Sequence, residues 1–251
     1  MSKFFSNLQK ALPRAAPWVP HLVTASGLLF GFLSIAAIFE SHHRTALMWM
    51  TAAVVSDAVD GTIARKLNSA NKLPNFDGKR LDAIVDYITY VIVPVLFIYK
   101  ANLLPYTSDN WLLPAILISS AYQFAQTTAK THDNFFTGFP SYWNVAVFYM
   151  LLLKSSPNSN LVLLVVLTTL IFVPIKYYYP SRTTKHKFII MSLTLIWGIS
   201  GISLIITYPT IYPIPLWISI LCSVYYVAIS IYNTLQSKSI TLSTNPSVDN
   251  T

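Results

Sequence analysis

The sequence contains little charge and almost no cysteine. Charged residues make up 10% of the 251 residues, whereas hydrophobic residues make up 54%, and the mean hydropathy is +0.52. A soluble domain carries about a quarter charged residues, so this composition excludes an ordinary soluble protein. The single cysteine, Cys222, rules out an intramolecular disulfide, and its apolar surroundings predict a small buried side chain.

Long apolar runs predict an all-α, polytopic integral membrane protein. A membrane-spanning helix needs about 20 predominantly apolar residues. Such runs predict about eight transmembrane helices, near residues 21–39, 45–66, 81–100, 111–129, 142–158, 161–179, 188–208 and 214–235. We expect one membrane-embedded domain over 18–236. The tail 237–251 is rich in Ser, Thr and Asn, lacks periodicity and is predicted to be disordered.

The N-terminal segment 1–17 does not resemble a cleavable signal. Its apolar residues fall on one helical face and its basic residues on another, a pattern typical of an amphipathic helix that lies on anionic headgroups. The apolar face contains Phe4, Phe5, Leu8 and Leu12, and the basic face contains Lys3, Lys10 and Arg14. We therefore predict an interfacial helix, with a mobile tail as the alternative.

The basic residues are distributed unevenly between the two sides of the predicted spans. Fourteen of the 17 Lys and Arg residues lie on the side of the two termini, and the other side has only Arg44, Lys100 and Lys154. The positive-inside rule places the basic side in the cytoplasm. The asymmetry supports an even number of spans, and it explains the net charge of +8 without a nucleic-acid partner.

Acidic residues are also scarce, yet four of the nine are concentrated in one short region. They are Asp57, Asp60, Asp82 and Asp86, and their neighbours read as membrane-embedded helix. An intramembrane carboxylate costs about 2.5 to 3.5 kcal/mol on insertion scales unless something neutralises it. Because no matching cluster of Lys or Arg exists in the predicted spans, bound divalent cations are the expected counter-charge. Oxygen-only ligands favour Mg²⁺ or Mn²⁺.

Helical periodicity puts these carboxylates on two stripes that can face each other. On the second predicted helix the stripe contains Asp57, Asp60, Gly61 and Ala64, with Arg65 at its edge. On the third it contains Gly78, Asp82 and Asp86. We expect the four carboxylates to converge around a pair of metals. Gly61 and Ala64 leave room for a ligand, and Arg65 offers a planar fork for a phosphate.

Two other classes of membrane protein use intramembrane aspartates. A transporter can use them as a proton relay or ion site, but paired Gly- or Pro-broken helices are not evident in two halves of this sequence. An intramembrane prenyltransferase divides its acidic motifs between distant helices, whereas the later spans here contain no acidic residue. Metal-assisted diphosphate chemistry fits the four carboxylates better. In the first span, Gly27 and Gly31 form a small-xxx-small pattern that predicts tight helix packing.

At the acidic motif the chain resembles the CDP-alcohol phosphatidyltransferases. The matching pattern is Asp57-x-x-Asp60-Gly61-x-x-Ala64-Arg65, then twelve residues, then Gly78-x-x-x-Asp82-x-x-x-Asp86. This gap is longer than in most of that family and is similar to the gap in its bacterial phosphatidylcholine synthases. The opening of the first span, from His21 to Gly27, is a weaker likeness to the same subgroup.

The resemblance implies a transfer that releases CMP from CDP-diacylglycerol at the surface of a bacterial inner membrane. It implies metal ligation by Asp57, Asp60 and Asp82, with Asp86 completing the site and acting as general base. Gly61, Ala64 and Arg65 would line the nucleotide. It further implies two Mn²⁺ ions, with Mg²⁺ as the alternative, and choline as the acceptor, and it leaves a homodimer open.

The acceptor alcohol has several alternatives within this family. Serine, inositol phosphate and glycerol phosphate remain open, and a phosphorylated acceptor would need a cationic subsite such as Arg182, Lys185 and Lys187 could supply. Choline would instead need aromatic faces around its quaternary ammonium group. Aromatic residues that could provide them are Tyr87, Tyr90, Tyr142, Trp143 and Tyr149.

Overall fold

The computed structural model describes residues 16–67, 75–128, 131, 135–178 and 186–244. Over these residues the chain is mainly helical, after a short 3₁₀ turn at Ala16–Trp18. In chain order the elements are α1 Val19–Phe39, α2 His43–Leu67, α3 Gly78–Lys100, α4 Asp109–Ala125, β1 Phe135–Thr137, α5 Trp143–Leu152, α6 Pro157–Leu170, β2 Lys176–Tyr178, α7 Lys187–Thr207 and α8 Pro213–Thr244.

Each predicted apolar run corresponds to one helix, but not every helix can cross a membrane. Among the described residues, α1, α3, α7 and the part of α8 over Pro213–Gln236 are long and apolar enough to do so. These four indicate a membrane protein, whereas the prediction of about eight spans is not confirmed. Helix α2 has 25 residues, but its charged side chains lower its hydropathy. Helix α5, with 10 residues, rises only about 15 Å, half the hydrocarbon thickness.

The predicted boundaries of two runs, 142–158 and 161–179, are wrong by several residues. The run 142–158 breaks after Leu152, because Lys154 adopts a left-handed φ of 47° and Pro157 begins the next helix. The run 161–179 is helical only to Leu170. Within it, Lys176–Tyr178 form strand β2, which pairs antiparallel with β1, so the all-α prediction misses a small two-stranded sheet. Alternating β-branched or aromatic residues over three positions are too few for a periodic signal.

Parts of four predictions lie outside the described residues. They are the amphipathic helix 1–17, described only from residue 16 onward; the connection between the two acidic stripes, of which 68–74 are not described; the basic subsite, of which Arg182 and Lys185 are not described; and the tail, of which 245–251 are not described. Helix α8 continues to Thr244, so the residues 237–244 at the start of the predicted tail are helical.

The chain divides into two compact units. The first contains Met1–Leu117 and Tyr142–Asn160, and the second contains Ile118–Ser141 and Leu161–Thr251. In the first unit α1 packs along both α2 and α3. The Ser34 hydroxyl donates to the carbonyl oxygen of Ala46, 3.1 Å away. The Tyr87 hydroxyl donates to the carbonyl oxygen of Leu117 over 2.9 Å and so links α3 to α4.

The second unit is organised around Tyr178. Its ring packs with Phe135 and Ile190 in a buried cluster. Its hydroxyl accepts a hydrogen bond of 2.9 Å from the Asn233 side chain, and the Lys176 backbone N–H donates to the Thr234 hydroxyl over 2.8 Å. These bonds connect the two-stranded sheet to α8. They also give the buried polar groups the hydrogen-bond partners that such groups need.

Candidate active site

Helices α2 and α3 bring three of the predicted carboxylates together. One oxygen from each of Asp57, Asp82 and Asp86 lies within 4.8 Å of the other two. The helical repeat explains this, because Asp82 and Asp86 are one turn apart on α3 and Asp57 lies on the face of α2 that meets them. The predicted convergence of the two stripes is confirmed for these three residues.

The fourth carboxylate, Asp60, is the most buried of the set. It is 4% exposed, and its Oδ2 atom has no hydrogen-bond partner. Asp60 lines a small cavity between α1, α2 and α3, which Asp57 and Asp86 also line. Thr24 lines the same cavity from α1. An orphaned buried carboxylate oxygen is costly, so a ligand that satisfies it is expected here.

This set of donors suits a hard divalent cation. All four side chains offer carboxylate oxygens, and three of those oxygens are already close enough to share an ion. The unpartnered oxygen of Asp60 supplies a further donor at the same cavity. Carboxylates without His or Cys are typical ligands of Mg²⁺ and Mn²⁺ rather than of Zn²⁺. The residues present therefore fit the metals that the sequence predicts.

A tyrosine orients one of these carboxylates. The hydroxyl of Tyr90 donates a hydrogen bond of 2.9 Å to Oδ2 of Asp57. Tyr90 is buried and lies in the π-helical segment Ile88–Ile92, just after Asp86 on α3. Wide turns of this kind occur often at functional sites. The ring centroid of Tyr90 lies 6.0 Å from that of Tyr142.

Close packing of α1 holds the site together. A Cβ atom at Gly27 would lie only 2.7 Å from Cγ1 of Val85, so this glycine lets α1 approach α3 beside the carboxylates. A Cβ at Gly31 would meet ordinary contacts of 3.5 Å or more. The predicted tight packing is thus confirmed at Gly27. Between α1 and α2, the Ser56 hydroxyl donates to the carbonyl oxygen of Val23 over 2.8 Å. This bond ties α2 to α1 directly before Asp57.

The predicted nucleotide-lining residues follow the carboxylates along α2. Gly61 is the next residue after Asp60, and Ala64 lies one turn closer to the end of the helix; both are half-buried. Arg65 belongs to the same helix, and its side chain is outside the described residues. Gly78 is the first residue of α3, and a Cβ there would overlap the ring of His21.

Two contacts at the site were not predicted from the sequence. Tyr90 continues the stripe of Gly78, Asp82 and Asp86 at the same four-residue spacing, so its contact with the carboxylates had a periodic signal. The contact of His21 with Gly78 had none, because it joins residues far apart in the sequence. Neither the bond to Asp57 nor this close approach follows from one helix considered alone.

Comparison with known proteins agrees with this site. A family model described as CDP-alcohol phosphatidyltransferase matches residues 17–193, which include all four aspartates. A phosphatidylcholine synthase of Legionella bozemanae is 41% identical over 211 residues, which cover 81% of this chain and 97% of that protein.

Two further relatives have the same description. A phosphatidylcholine synthase of Legionella pneumophila is 42% identical over 212 residues, covering 82% of each chain. One from Pseudomonas aeruginosa is 36% identical over 219 residues, covering 87% of this chain and 92% of that protein. The similarity thus extends over most of both sequences and is not confined to the acidic motif.

Proposed function

Because the chain belongs to the CDP-alcohol phosphatidyltransferase family, we propose that it transfers a phosphatidyl group from CDP-diacylglycerol to choline. The products are phosphatidylcholine and CMP. The observation that carries the proposal is the cluster of carboxylate oxygens of Asp57, Asp82 and Asp86 within 4.8 Å. Such a cluster repels a diphosphate by itself, so the substrate and the acidic site are compatible only through cations.

In this proposal the four aspartates hold two divalent ions, Mn²⁺ or alternatively Mg²⁺. Asp57, Asp60 and Asp82 are ligands, and Asp86 completes the site. When bound, the ions neutralise the diphosphate and stabilise the departing CMP. Tyr90 keeps the Asp57 carboxylate oriented through its hydroxyl. Gly61, Ala64 and Arg65 line the nucleotide, where Arg65 can bind a phosphate with two parallel hydrogen bonds.

The transfer itself is a displacement at phosphorus. The hydroxyl oxygen of the acceptor attacks the phosphorus that carries the diacylglycerol, and a new P–O bond forms. The bond from that phosphorus to the oxygen bridging the two phosphates breaks, and CMP leaves with the bridging oxygen. Asp86 accepts the hydroxyl proton as general base. Its position on the wall of the cavity shared with Asp57 and Asp60 supports this role.

Choline as the acceptor is supported by the relatives and by two tyrosine rings. Tyr90 and Tyr142 lie with ring centroids 6.0 Å apart, and Tyr90 is only four residues after Asp86 on α3. A quaternary ammonium group binds aromatic faces by cation–π attraction, worth about 2 kcal/mol when desolvated.

We further propose that residues 18–236 form a domain in the bacterial inner membrane, with the active site and both termini in the cytoplasm. The excess of basic residues on that side supports this orientation. Helix α3 carries two of the aspartates near its first residue and is long enough to cross the bilayer. The substrate's diphosphate, which cannot enter hydrocarbon, then meets the metals at the cytoplasmic surface. A homodimer is compatible with this arrangement.

The test supplies CDP-diacylglycerol and Mn²⁺ with one labelled acceptor at a time. The acceptors are choline, serine, inositol phosphate, glycerol 3-phosphate and the uncharged choline isostere 3,3-dimethylbutan-1-ol. We expect CMP release and labelled lipid with choline, and little product from the isostere because it has the shape of choline without its charge. Product from serine or a phosphorylated acceptor, and none from choline, would overturn the acceptor while leaving phosphatidyl transfer intact.

A further inference from the structure

The cavity beside the carboxylates has the size of one water molecule. The space inside it that a water-sized molecule can occupy is about 10 Å³, close to the minimum of about 10 to 15 Å³ that one water needs. Its walls are residues of the helices α1, α2 and α3, so the space does not depend on the closing of a loop. The trimethylammonium group of choline is too large for this cavity, whereas an alcohol hydroxyl group and a water molecule are similar in size.

The polar residues on the wall offer mainly hydrogen-bond acceptors. Asp60 is 4% exposed, and its Oδ2 atom has no hydrogen-bond partner. The hydroxyl of Thr24 donates to the carbonyl oxygen of Pro20, and that of Thr89 donates to Val85, each over 3.0 Å. Because these hydrogens are used, the wall suits a molecule that donates, as water does with both of its hydrogens. A carboxylate oxygen has two lone pairs, so Oδ2 of Asp60 can accept from water and still face a cation.

The same wall includes Asp86, the general base of the proposed function. A water molecule that donates one hydrogen to Asp86 and the other to Oδ2 of Asp60 keeps its lone pairs free for attack. A general base has to lie within hydrogen-bond reach of the proton that it removes. Some transferases keep water out because the acceptor itself assembles the catalytic site. Here the base and the cavity both belong to packed helices, so they are present before choline binds.

We propose that water enters this cavity when choline is absent and acts as a second acceptor, so that the protein also hydrolyses CDP-diacylglycerol to phosphatidic acid and CMP. The inference rests on the proposed function, since the donor and the base are the same. The water oxygen attacks the phosphorus that carries the diacylglycerol, and a new P–O bond forms. The bond from that phosphorus to the bridging oxygen breaks, CMP leaves with the bridging oxygen, and Asp86 accepts a proton of the water.

Choline and water exclude each other in this scheme. The hydroxyl group of choline has to reach Asp86, so it takes the place of the water, while the quaternary ammonium group stays outside the cavity at Tyr90 and Tyr142. Water lacks the cation–π attraction to these rings. Hydrolysis should therefore be slower than transfer by about 30-fold or more.

The test incubates the purified protein with CDP-diacylglycerol and Mn²⁺ in ¹⁸O-enriched water, in a buffer and detergent that contain no hydroxyl group. We expect CMP and phosphatidic acid in equal amounts, with one ¹⁸O atom in the phosphate of phosphatidic acid and none in CMP. Added choline should suppress phosphatidic acid at the concentrations that give half-maximal transfer. Asp86→Asn should slow hydrolysis and transfer by a similar factor, about 10²- to 10⁴-fold.

Ala53→Val tests the cavity itself. Ala53 is 4% exposed and lines the cavity, so two added methyl groups fill the place of the water and of the acceptor hydroxyl. Hydrolysis and transfer should both fall by about tenfold or more, while CMP still binds in the presence of Mn²⁺. Ala58→Val is the matched control, because Ala58 is an exposed alanine on the same helix. It should change neither rate.

Several results would contradict the inference and leave the proposed function standing. They are ¹⁸O in CMP, phosphatidic acid that choline does not suppress, unchanged hydrolysis in Ala53→Val, and synthesis of phosphatidylcholine without hydrolysis above the rate in the absence of protein. If the protein released CMP with no acceptor at all, water and choline included, phosphatidyl transfer itself would be contradicted, and this inference with it.

Discussion

The hydroxyl of Tyr90 donates a hydrogen bond of 2.9 Å to the Oδ2 atom of Asp57, across the interface between α3 and α2. Tyr90 is itself buried. Mutation of a group that orients a metal ligand typically costs about 10- to 100-fold in metal affinity or activity. The bond therefore connects Tyr90, one of the two rings proposed to bind choline, to one of the carboxylates proposed to bind metal.

Tyr90→Phe should raise the Mn²⁺ concentration needed for half-maximal activity by about 10- to 100-fold. The ring remains, so the KM for choline should change little. The measurement is a metal titration of CMP release at saturating choline. Tyr87→Phe is the control, since its hydroxyl bonds the carbonyl oxygen of Leu117 instead. Equal metal dependence in the two variants would show that the bond to Asp57 has no role in metal binding.

Removal of divalent metal should abolish turnover and destabilise the protein. Without cations, the carboxylate oxygens of Asp57, Asp82 and Asp86 repel one another across at most 4.8 Å. Metal at 100 times its Kd stabilises the folded state by about 2.7 kcal/mol, so the thermal unfolding midpoint should rise when Mn²⁺ is added after chelation. Full turnover in the presence of excess chelator would contradict the metal-dependent scheme.

Asp86→Asn and Asp60→Asn should separate chemistry from binding. Asp86→Asn removes the proposed base and should lower kcat by about 10²- to 10⁴-fold, while CMP and Mn²⁺ still bind. Asp60→Asn should weaken Mn²⁺ and CMP binding together. Because it removes a buried charge with an unpartnered oxygen, it should also raise the stability of the metal-free protein. Normal turnover by Asp86→Asn would place the base elsewhere.

Gly27→Ala and Gly31→Ala should differ although both glycines lie on the same face of α1. The added methyl group at Gly27 would lie 2.7 Å from Val85, so α1 must move away from α3. Overpacking of this kind costs about 1 to 3 kcal/mol, and activity should fall because Asp86 follows Val85 directly. Gly31→Ala meets contacts of 3.5 Å or more and should be tolerated. Thermal unfolding and CMP release measure both effects. Similar losses in the two variants would argue against the close contact.

The orientation in the membrane can be tested on either side of α3. Asn75 precedes this helix and Tyr106 follows it, and both are exposed. In a Cys222→Ser background, Asn75→Cys should be protected from an impermeant thiol reagent in intact cells, whereas Tyr106→Cys should react. Labelling of Asn75→Cys but not of Tyr106→Cys would invert the topology that the basic residues predict.

Some features of the site were readable from local sequence spacing. The repeat of Asp82 and Asp86 at four residues defines a stripe on any α-helix, whatever surrounds it. Asp57, Asp60 and Ala64 likewise share one face of α2, at spacings of three and four residues. Because the cost of carboxylates among apolar residues also follows from composition, the acidic site and the hypothesis that it binds cations could be stated before any packing was known.

The helix ends in the second half of the chain were less predictable. Hydropathy does not distinguish a membrane span from a short apolar helix that is buried in the protein, so the run beginning at 142 was expected to cross the bilayer. In the structure it ends at Leu152, and Trp143 within it is fully buried. The pairing of Phe135–Thr137 with Lys176–Tyr178 joins segments about forty residues apart, which local periodicity cannot register.

The sequence by itself determined which residues share a helical face, because the α-helix repeats every 3.6 residues irrespective of its neighbours. It thereby determined the acidic stripes and the class of chemistry. Only the tertiary structure decided which faces meet: that Tyr90 bonds Asp57, that Gly27 admits Val85, and that His21 rests against Gly78 with a nitrogen left unpaired. These contacts depend on how side chains from separate helices interlock, and that depends on the packing of the whole unit rather than on any one segment.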